Sequence, residues 1–313
     1  MRARYNPAMA ATTRRTFLSL AATAAMANAF PNELRSRFRL AVTTDEIDND
    51  LLTAIEFLRR FGLEYAEIRN VWGKYNTSQP VEKIQEARRL LDGHGIKTAI
   101  VDTGFFKIPV PAENADGQKA IDKQWKLLDR AMDRAKILGT DRIRTFAFTY
   151  PRDGRPDEAN YPRIIELVKE SARRAKARGF RLALENVGHS YVATAADSAR
   201  MLQAISIDSF GLTWDPNNAA EMGGSPFPKG YAMLDPARIF HVHLRDYRYL
   251  PSGKTEWCGV GQGEFNHLGQ LRALLKAGYG ETFSLETHYT VDGSKAKASE
   301  ASLTALLKLM ERV

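Results

Sequence analysis

Short β-rich runs alternate with longer amphipathic segments along the chain from Arg37 to its end. The longer segments place apolar residues at three- and four-residue spacing, which is the period of a helix face. Glycine follows several of them, as at Gly62, Gly139 and Gly179, where a helix can end in the left-handed conformation. Strands that alternate with helices form parallel sheets. The predicted strands are Phe38–Val42, Tyr65–Ile68, Lys97–Val101, Arg142–Phe146, Arg181–Glu185, Gly211–Asp215, Ile239–Leu244 and Thr282–Glu286.

Eight such units favour a closed (β/α)8 TIM barrel, predicted here as a single domain over residues 37–313. An open doubly wound sheet is the alternative, but its dinucleotide fingerprint is missing. The one dense glycine run, at 259–263, follows a loop instead of opening a helix after a strand. The stretch Pro216–Pro236 is predicted to be a loop with at most a short helix. The predicted helices are Asn49–Phe61, Val81–Gly93, Ala120–Leu138, Arg163–Arg178, Ala195–Ile205, His267–Lys276 and Ser299–Glu311.

Residues 1–29 have the composition of a targeting segment. Arg14 and Arg15, followed by Phe17 and an Ala-rich run that ends near Ala29, resemble a twin-arginine export signal with a small-residue cleavage site. The apolar run is shorter than the roughly 20 residues that cross a bilayer, so no stable membrane span is expected. The sequence therefore predicts that residues 1–29 are an export signal and that the mature protein is periplasmic. The alternative is that these residues are a disordered basic tail.

The export hypothesis predicts the effect of replacing Arg14 and Arg15 together with lysine. Because the signal depends on the arginine pair, the folded variant should stay in the cytoplasm. Cell fractionation, with the wild-type chain as control, measures this distribution. Unchanged delivery of the variant to the periplasm would contradict the hypothesis.

The net charge argues against nucleic-acid binding, and the cysteine count excludes disulfides and cysteine-based zinc sites. The formal net charge is +8, and it falls to +4 without residues 1–29, which hold four arginines and no acidic residue. Because the remaining basic residues are scattered among acids, no nucleic-acid partner is expected. Cys258 is the only cysteine, so neither an intrachain disulfide nor a cysteine-based zinc cluster can form. The sequence does not indicate an oligomeric state.

Four predicted strands end on residues that can bind a metal. Glu185, Asp215 and Glu286 close the fifth, sixth and eighth strands, and His243 lies near the end of the seventh. The two-residue strand period points all four side chains toward the barrel axis, at the mouth where barrel enzymes carry their active sites. Three carboxylates in one pocket repel one another unless a cation neutralises them. The pattern therefore predicts one divalent metal, with Glu185, Asp215, His243 and Glu286 as its ligands.

Each of these residues also has a simpler explanation when taken alone. Asp215 can cap a helix, and His243 can be a core histidine. His241 competes with His243 as the imidazole ligand, but His243 lies two residues nearer the mouth and is preferred. Three carboxylates and one imidazole favour Mn²⁺, with Mg²⁺, Co²⁺, Fe²⁺ or Zn²⁺ able to substitute.

Five motifs run through the C-terminal half of the chain: Leu184-Glu185-Asn186, the run 213–219, His241-Val242-His243-Leu244-Arg245-Asp246, Gly261-Gln262-Gly263-Glu264-Phe265 and Leu285-Glu286-Thr287-His288. Together they resemble the xylose-isomerase-like barrel superfamily, in particular its branch of sugar-phosphate isomerases and epimerases and inosose dehydratases. The resemblance implies that Glu185 and Glu286 also act as the catalytic acid and base on a small carbohydrate. One glutamate would remove a proton beside a carbonyl to give an enediolate, and either would return it.

The chain departs from the ketose epimerases of this branch at two positions. Asn218 stands where they often have a histidine, and Tyr249 replaces an arginine that reaches the substrate; Arg245 is a substitute for it. Both changes leave enolate chemistry open. The residues predicted to contact substrate are His189, Asn218, Arg245, Trp257, Arg69 and His288.

Three other functions compete with a metal-dependent sugar isomerase or epimerase. A lyase or dehydratase acting on a keto-sugar or 3-keto-glycoside would use the same enolate and expel a leaving group. A sugar-binding protein without catalysis needs no such carboxylate cluster. An abasic-site endonuclease needs further histidines for a zinc cluster, which the fourth strand and Asn218 do not supply.

Overall fold

The computed structural model describes residues 30–313, and eight parallel strands form its central barrel. The (β/α)8 fold predicted from the sequence is confirmed. The export signal predicted for residues 1–29 lies outside the described residues. The barrel strands are β1 Arg39–Val42, β2 Tyr65–Ile68, β3 Lys97–Val101, β4 Arg142–Thr145, β5 Arg181–Glu185, β6 Phe210–Trp214, β7 Ile239–Leu244 and β8 Thr282–Leu285.

The strands are ordered β1-β8-β7-β6-β5-β4-β3-β2 around the barrel. Among the described residues, β1 and β2 share no ladder, and the parallel bridge between Thr43 and Glu67 joins them beyond the end of β1. The ladder between β3 and β4 is also short, with Val101 paired to Ile143. The barrel is therefore nearly closed, and its seam lies between β1 and β2.

Helices follow the strands in turn and begin at side-chain caps. Asp50 caps the helix that begins at Leu51, Asn114 caps the one that begins at Ala115, and Thr194 with Asp197 forms a capping box on the one that begins at Ala195, so that free backbone N–H groups find acceptors. The stretch after β6 contains the short α-helix Pro216–Glu221, as predicted, and then a π-helical segment at Pro226–Gly230 and 3-10 turns at Tyr231–Met233 and Pro236–Arg238. The helices are α1 Asn32–Arg37, α2 Leu51–Arg60, α3 Val81–Gly93, α4 Ala115–Leu138, α5 Tyr161–Ala177, α6 Ala195–Ala204, α7 Pro216–Glu221, α8 His267–Lys276 and α9 Lys295–Met310.

The main core lies between the barrel and its helices, and a small second cluster fills the barrel interior. Leu182, Leu184 and Trp214 belong to the outer core, as strand alternation predicts. The same alternation predicts that Phe240, next to the inward-facing His241, lies on the outward face; that prediction is wrong, because Phe240 packs with Ala183 inside the barrel. The pairing of β6 with β7 shifts so that Phe240 is an extra residue on β7, which turns its ring inward.

Two antiparallel hairpins extend the loops above the mouth. One pairs Asn70–Val71 with Lys74–Tyr75, and the other pairs Asp246–Tyr249 with Thr255–Cys258. Asp246 anchors the second hairpin to the next loop, because its carboxylate accepts hydrogen bonds from the backbone N–H groups of Gly261 and Phe265. Within residues 30–313, no helix combines the length and apolar character needed to cross a membrane.

Candidate metal centre

Four side chains with metal-ligand chemistry meet at the C-terminal mouth of the barrel. Glu185 ends β5, Asp215 and Glu286 directly follow β6 and β8, and His243 lies in β7. Each offers one ligand atom, and these atoms all lie within 4.8 Å of one another. All four residues are buried, with at most 3% of their surface exposed. The structure therefore assembles the four residues that the sequence predicts as ligands.

The imidazole of His243 is oriented with one nitrogen toward this cluster and the other away from it. Nδ1 lies 3.3 Å from Glu286, 3.6 Å from Glu185 and 3.7 Å from Asp215. It has no hydrogen-bond partner among residues 30–313, although it is buried. Nε2 lies 3.0 Å from Oε1 of Glu67. A buried nitrogen without a partner, facing three carboxylates, suits coordination of a divalent cation.

Asp215 has a structural contact on one oxygen and faces the cluster with the other. Oδ1 accepts hydrogen bonds from the backbone N–H groups of Asn217 at 2.8 Å and Asn218 at 3.0 Å, which caps α7. Oδ2 accepts from Arg245 at 2.5 Å and belongs to the side of the carboxylate that faces His243. The helix cap and a place in the ligand cluster are thus compatible at this residue.

Glu286 is surrounded by cationic groups. Arg69 donates to Oε1 at 2.6 Å, and Nε2 of His288 lies 3.0 Å from the same oxygen. Arg245 lies 3.4 Å from Oε2. Burial by itself raises the pKa of this carboxyl, but His288, His243 and Arg245 outweigh it and hold the pKa well below its usual value. Glu286 is therefore ionised at neutral pH.

Glu185 is neutralised by an arginine inside the barrel. Nη1 of Arg144 lies 3.0 Å from Glu185 and 2.9 Å from Asp102. Burial raises the pKa of Glu185, but Arg144 and His243 lower it to about 2. Arg144 is absent from the predicted site residues. The two-residue period of β4 places Arg142 and Arg144 on the inward face. The strand pattern could therefore have predicted that Arg144 lies inside the barrel.

A family model described as "Xylose isomerase-like TIM barrel" matches residues 55–309. The chain belongs to this xylose isomerase-like TIM barrel family. No curated protein sequence matches the chain significantly.

Solved structures from this kind of barrel resemble the chain over most of its length. The IOLI protein with a bound zinc atom has a TM-score of 0.72 at 17% identity, covering 87% of this chain and 98% of that chain. D-psicose 3-epimerase with D-tagatose, from Clostridium cellulolyticum H10, has a TM-score of 0.66 at 16% identity, covering 88% of this chain and 98% of that chain. AsbF of Bacillus anthracis, a probable 3-DHS dehydratase, has a TM-score of 0.65 at 14% identity, covering 87% of this chain and 98% of that chain. At these identities the likeness shows the fold.

In this xylose isomerase-like barrel, His241 lies outside the four-residue cluster. Its Nδ1 is 2.7 Å from the hydroxyl of Thr282, and its Nε2 is 3.2 Å from Glu67. Burial lowers the pKa of His241, so its ring is neutral at neutral pH. Both ring nitrogens already face a partner, whereas His243 keeps Nδ1 free of hydrogen bonds.

A polar cavity of about 280 Å³ opens above the cluster. Its volume suits a small polar molecule. A separate cavity of about 350 Å³ beside α6 has a mainly apolar lining without a carboxylate. The polar cavity is lined by Arg69, Tyr75, Lys107, Arg144, Glu185, Val187, Asn218, Glu221, Arg245, Trp257, Glu286 and His288.

Five of the six predicted substrate contacts line this cavity, and His189 does not. The ring of His189 packs edge-on against Tyr150, with centroids 6.0 Å apart. Arg245 lies over the ring of Trp257, with its guanidinium carbon 4.2 Å from the centroid. Asn218 donates to Glu185 at 3.2 Å and accepts from Arg245 at 2.7 Å. Asn218 therefore links a ligand of the cluster to a cavity-lining arginine.

Lys107 is a lining residue that the sequence analysis missed. It lies in the loop after β3, and its ammonium is 4.5 Å from the ring centroid of Phe146. Burial lowers its pKa. A lysine in a loop carries no strand period, so no sequence pattern marked it.

Proposed function

We propose that the protein is a divalent-metal-dependent sugar isomerase or epimerase that acts on a keto-sugar or related polyol through an enediolate. The observation that carries this proposal is a pair of buried, ionised glutamates, Glu185 and Glu286, in one ligand cluster at the base of a polar cavity. Cationic neighbours lower the pKa of both glutamates, so both carboxylates are unprotonated at neutral pH and have lone pairs to accept a proton.

The metal would be held by Glu185, Asp215, Glu286 and Nδ1 of His243. Three oxygen donors and one nitrogen favour Mn²⁺, with Mg²⁺, Co²⁺, Fe²⁺ or Zn²⁺ able to substitute. When bound, such an ion supplies Lewis acidity, which makes a C–H beside a carbonyl easier to deprotonate.

The chain's own residues would move the proton and stabilise the charge that develops. One of the two glutamates takes the proton from the carbon beside the carbonyl, and either glutamate returns it to the opposite face or to the next carbon. Arg144 and Arg69 lie beside these glutamates, where a guanidinium stabilises negative charge on the enediolate. Trp257 offers an apolar face to the C–H groups of a sugar.

A lyase or dehydratase is the second candidate, and the position of His288 favours it. Its Nε2 lies 3.0 Å from Glu286, and its side chain is 33% exposed at the mouth. An imidazole there could protonate a hydroxyl or an aglycone oxygen as it leaves the carbon next to the enediolate. We also propose that residues 1–29 are a twin-arginine export signal and that the enzyme acts in the periplasm.

Solvent exchange in D₂O tests the proposed chemistry. Metal-loaded wild-type protein, incubated with ketoses, inososes and 3-keto-glycosides, should place deuterium on the carbon beside the carbonyl, because the abstracted proton exchanges with solvent. Mass spectrometry and NMR of the products separate the two candidates. An epimerase gives a labelled isomer, whereas a lyase releases water or an aglycone. No exchange with any of these compounds would remove enolate chemistry from consideration.

A further inference from the structure

Glu67 connects the two histidines of β7 inside the barrel. It lies in β2, across the barrel from β7, and none of its surface is exposed. Oε1 is 3.0 Å from Nε2 of His243, and Oε2 is 3.2 Å from Nε2 of His241. Oε2 also accepts a hydrogen bond from the hydroxyl of Thr43 at 3.0 Å. A buried carboxylate with this many donors around it has a specific structural or functional role.

The carboxylate of Glu67 determines the hydrogen-bond directions in this network, because an ionised carboxylate can only accept. Arg142 can only donate, and its Nη1 donates to the hydroxyl of Thr282 at 2.9 Å. That hydroxyl keeps its own proton, which it can donate to Nδ1 of His241, 2.7 Å away, when Nδ1 is unprotonated. His241 then carries its proton on Nε2 and donates it to Glu67. The ionised carboxylate can only accept, so His243 also presents an N–H to it from Nε2.

We propose that Glu67 is a positioning residue that keeps the proton of His243 on Nε2 and thereby leaves the lone pair of Nδ1 directed at the metal cluster. This inference rests on the proposed metal site. A carboxylate that accepts from the second nitrogen of a ligating histidine fixes the ring's tautomer and orientation, and its loss typically lowers metal affinity about 10–100-fold. Glu67 therefore acts on the metal through His243, without contacting it.

The first test measures Mn²⁺ affinity from the electron paramagnetic resonance of the free ion. Glu67→Gln keeps the side chain's size but presents an amide N–H₂ to one of the imidazoles, so affinity should fall about 10–100-fold. Thr43→Val removes a donor to Glu67 and leaves its contact with His243, so its affinity should stay within a few-fold of wild type. Circular dichroism and thermal unfolding of the metal-free variants show that they are folded.

A double-mutant cycle separates positioning from loss of charge. In a His243→Ala background, Glu67→Gln should lower Mn²⁺ affinity far less than in the wild-type background, because the residue through which it acts is gone. Equal losses in both backgrounds would mean that only the negative charge of Glu67 matters, and would overturn the inference.

The wild-type protein gives an independent readout that needs no folded variant. With ¹⁵N-labelled imidazoles and bound Zn²⁺, NMR should show His243 protonated on Nε2 and His241 protonated on Nε2, whereas a proton on Nδ1 of His243 would overturn the inference. Two ions per wild-type chain, one of them lost in Glu67→Gln, would also overturn it, since Glu67 would then be a ligand. Wild-type protein that binds no metal would overturn the proposed function and this inference together, whereas unchanged affinity in Glu67→Gln would overturn this inference alone.

Discussion

Replacing Glu286 with glutamine is expected to lower the rate of deuterium exchange from solvent by at least ~10²-fold. The amide has nearly the same size but cannot accept the proton that an ionised carboxylate takes from carbon. The rate is measured by mass spectrometry of the keto-sugar after timed incubation in D₂O. Because the amide is also a weaker ligand, bound metal must be counted on the same sample.

Glu281→Gln is a matched control for this substitution. Glu281 directly precedes β8, at the opposite end of the strand from Glu286, and pairs with Arg181 at 2.8 Å and Arg142 at 2.9 Å. Its exchange rate should stay within a few-fold of wild type. A Glu286→Gln protein that holds its metal and exchanges at the wild-type rate would show that Glu286 is not the base. The acid–base role would then pass to Glu185 alone.

Asp215→Ala is expected to abolish stable metal binding and with it all exchange activity. Removing one of four ligands should cost more than the ~10–100-fold that loss of a supporting partner costs. Elemental mass spectrometry should find one ion per wild-type chain and none in the variant after gel filtration. Full activity of metal-free wild-type protein would contradict the mechanism.

The helix cap at Asp215 makes a second comparison informative. Asp215→Asn keeps an acceptor oxygen for the N–H groups of Asn217 and Asn218, whereas Asp215→Ala removes it. Loss of a cap typically costs about 0.5–2 kcal/mol. In the metal-free state, chemical denaturation should therefore show the alanine variant to be less stable than the asparagine variant. Equal stability, with metal lost in both, would leave Asp215 as a ligand without a capping role.

Strand periodicity was sufficient to predict the barrel and the meeting of Glu185, Asp215, His243 and Glu286. All four lie at one end of parallel strands, and a period of two assigns their faces. The same rule fails at Phe240, because the register shift between β6 and β7 depends on how two strands pair and not on either strand's own pattern. The metal roles and catalytic roles of these residues stay predictions.

Contacts made across the barrel could not be predicted from the sequence. Glu67 lies far from His243 in the chain, and only closure of the barrel brings β2 opposite β7. The alternation of β4 indicates that Arg144 faces the barrel interior, whereas Lys107 lies in a loop, where no periodicity indicates the direction of a side chain. His189 lies on the loop that follows β5, and its ring packs against Tyr150 instead of lining the cavity.

The seam between β1 and β2 gives the barrel a place of low local stability. Most neighbouring strands share ladders of several residue pairs, whereas these two are joined by the bridge from Thr43 to Glu67 and by the Thr43 hydroxyl. Segments with few backbone hydrogen bonds open at lower free energy than the whole molecule unfolds, so amide hydrogens beside the seam should exchange first. Because Glu67 also contacts His243, a ligand that binds only the closed barrel would slow this opening by mass action. Local opening of the seam and ligand occupancy of the site are therefore thermodynamically linked.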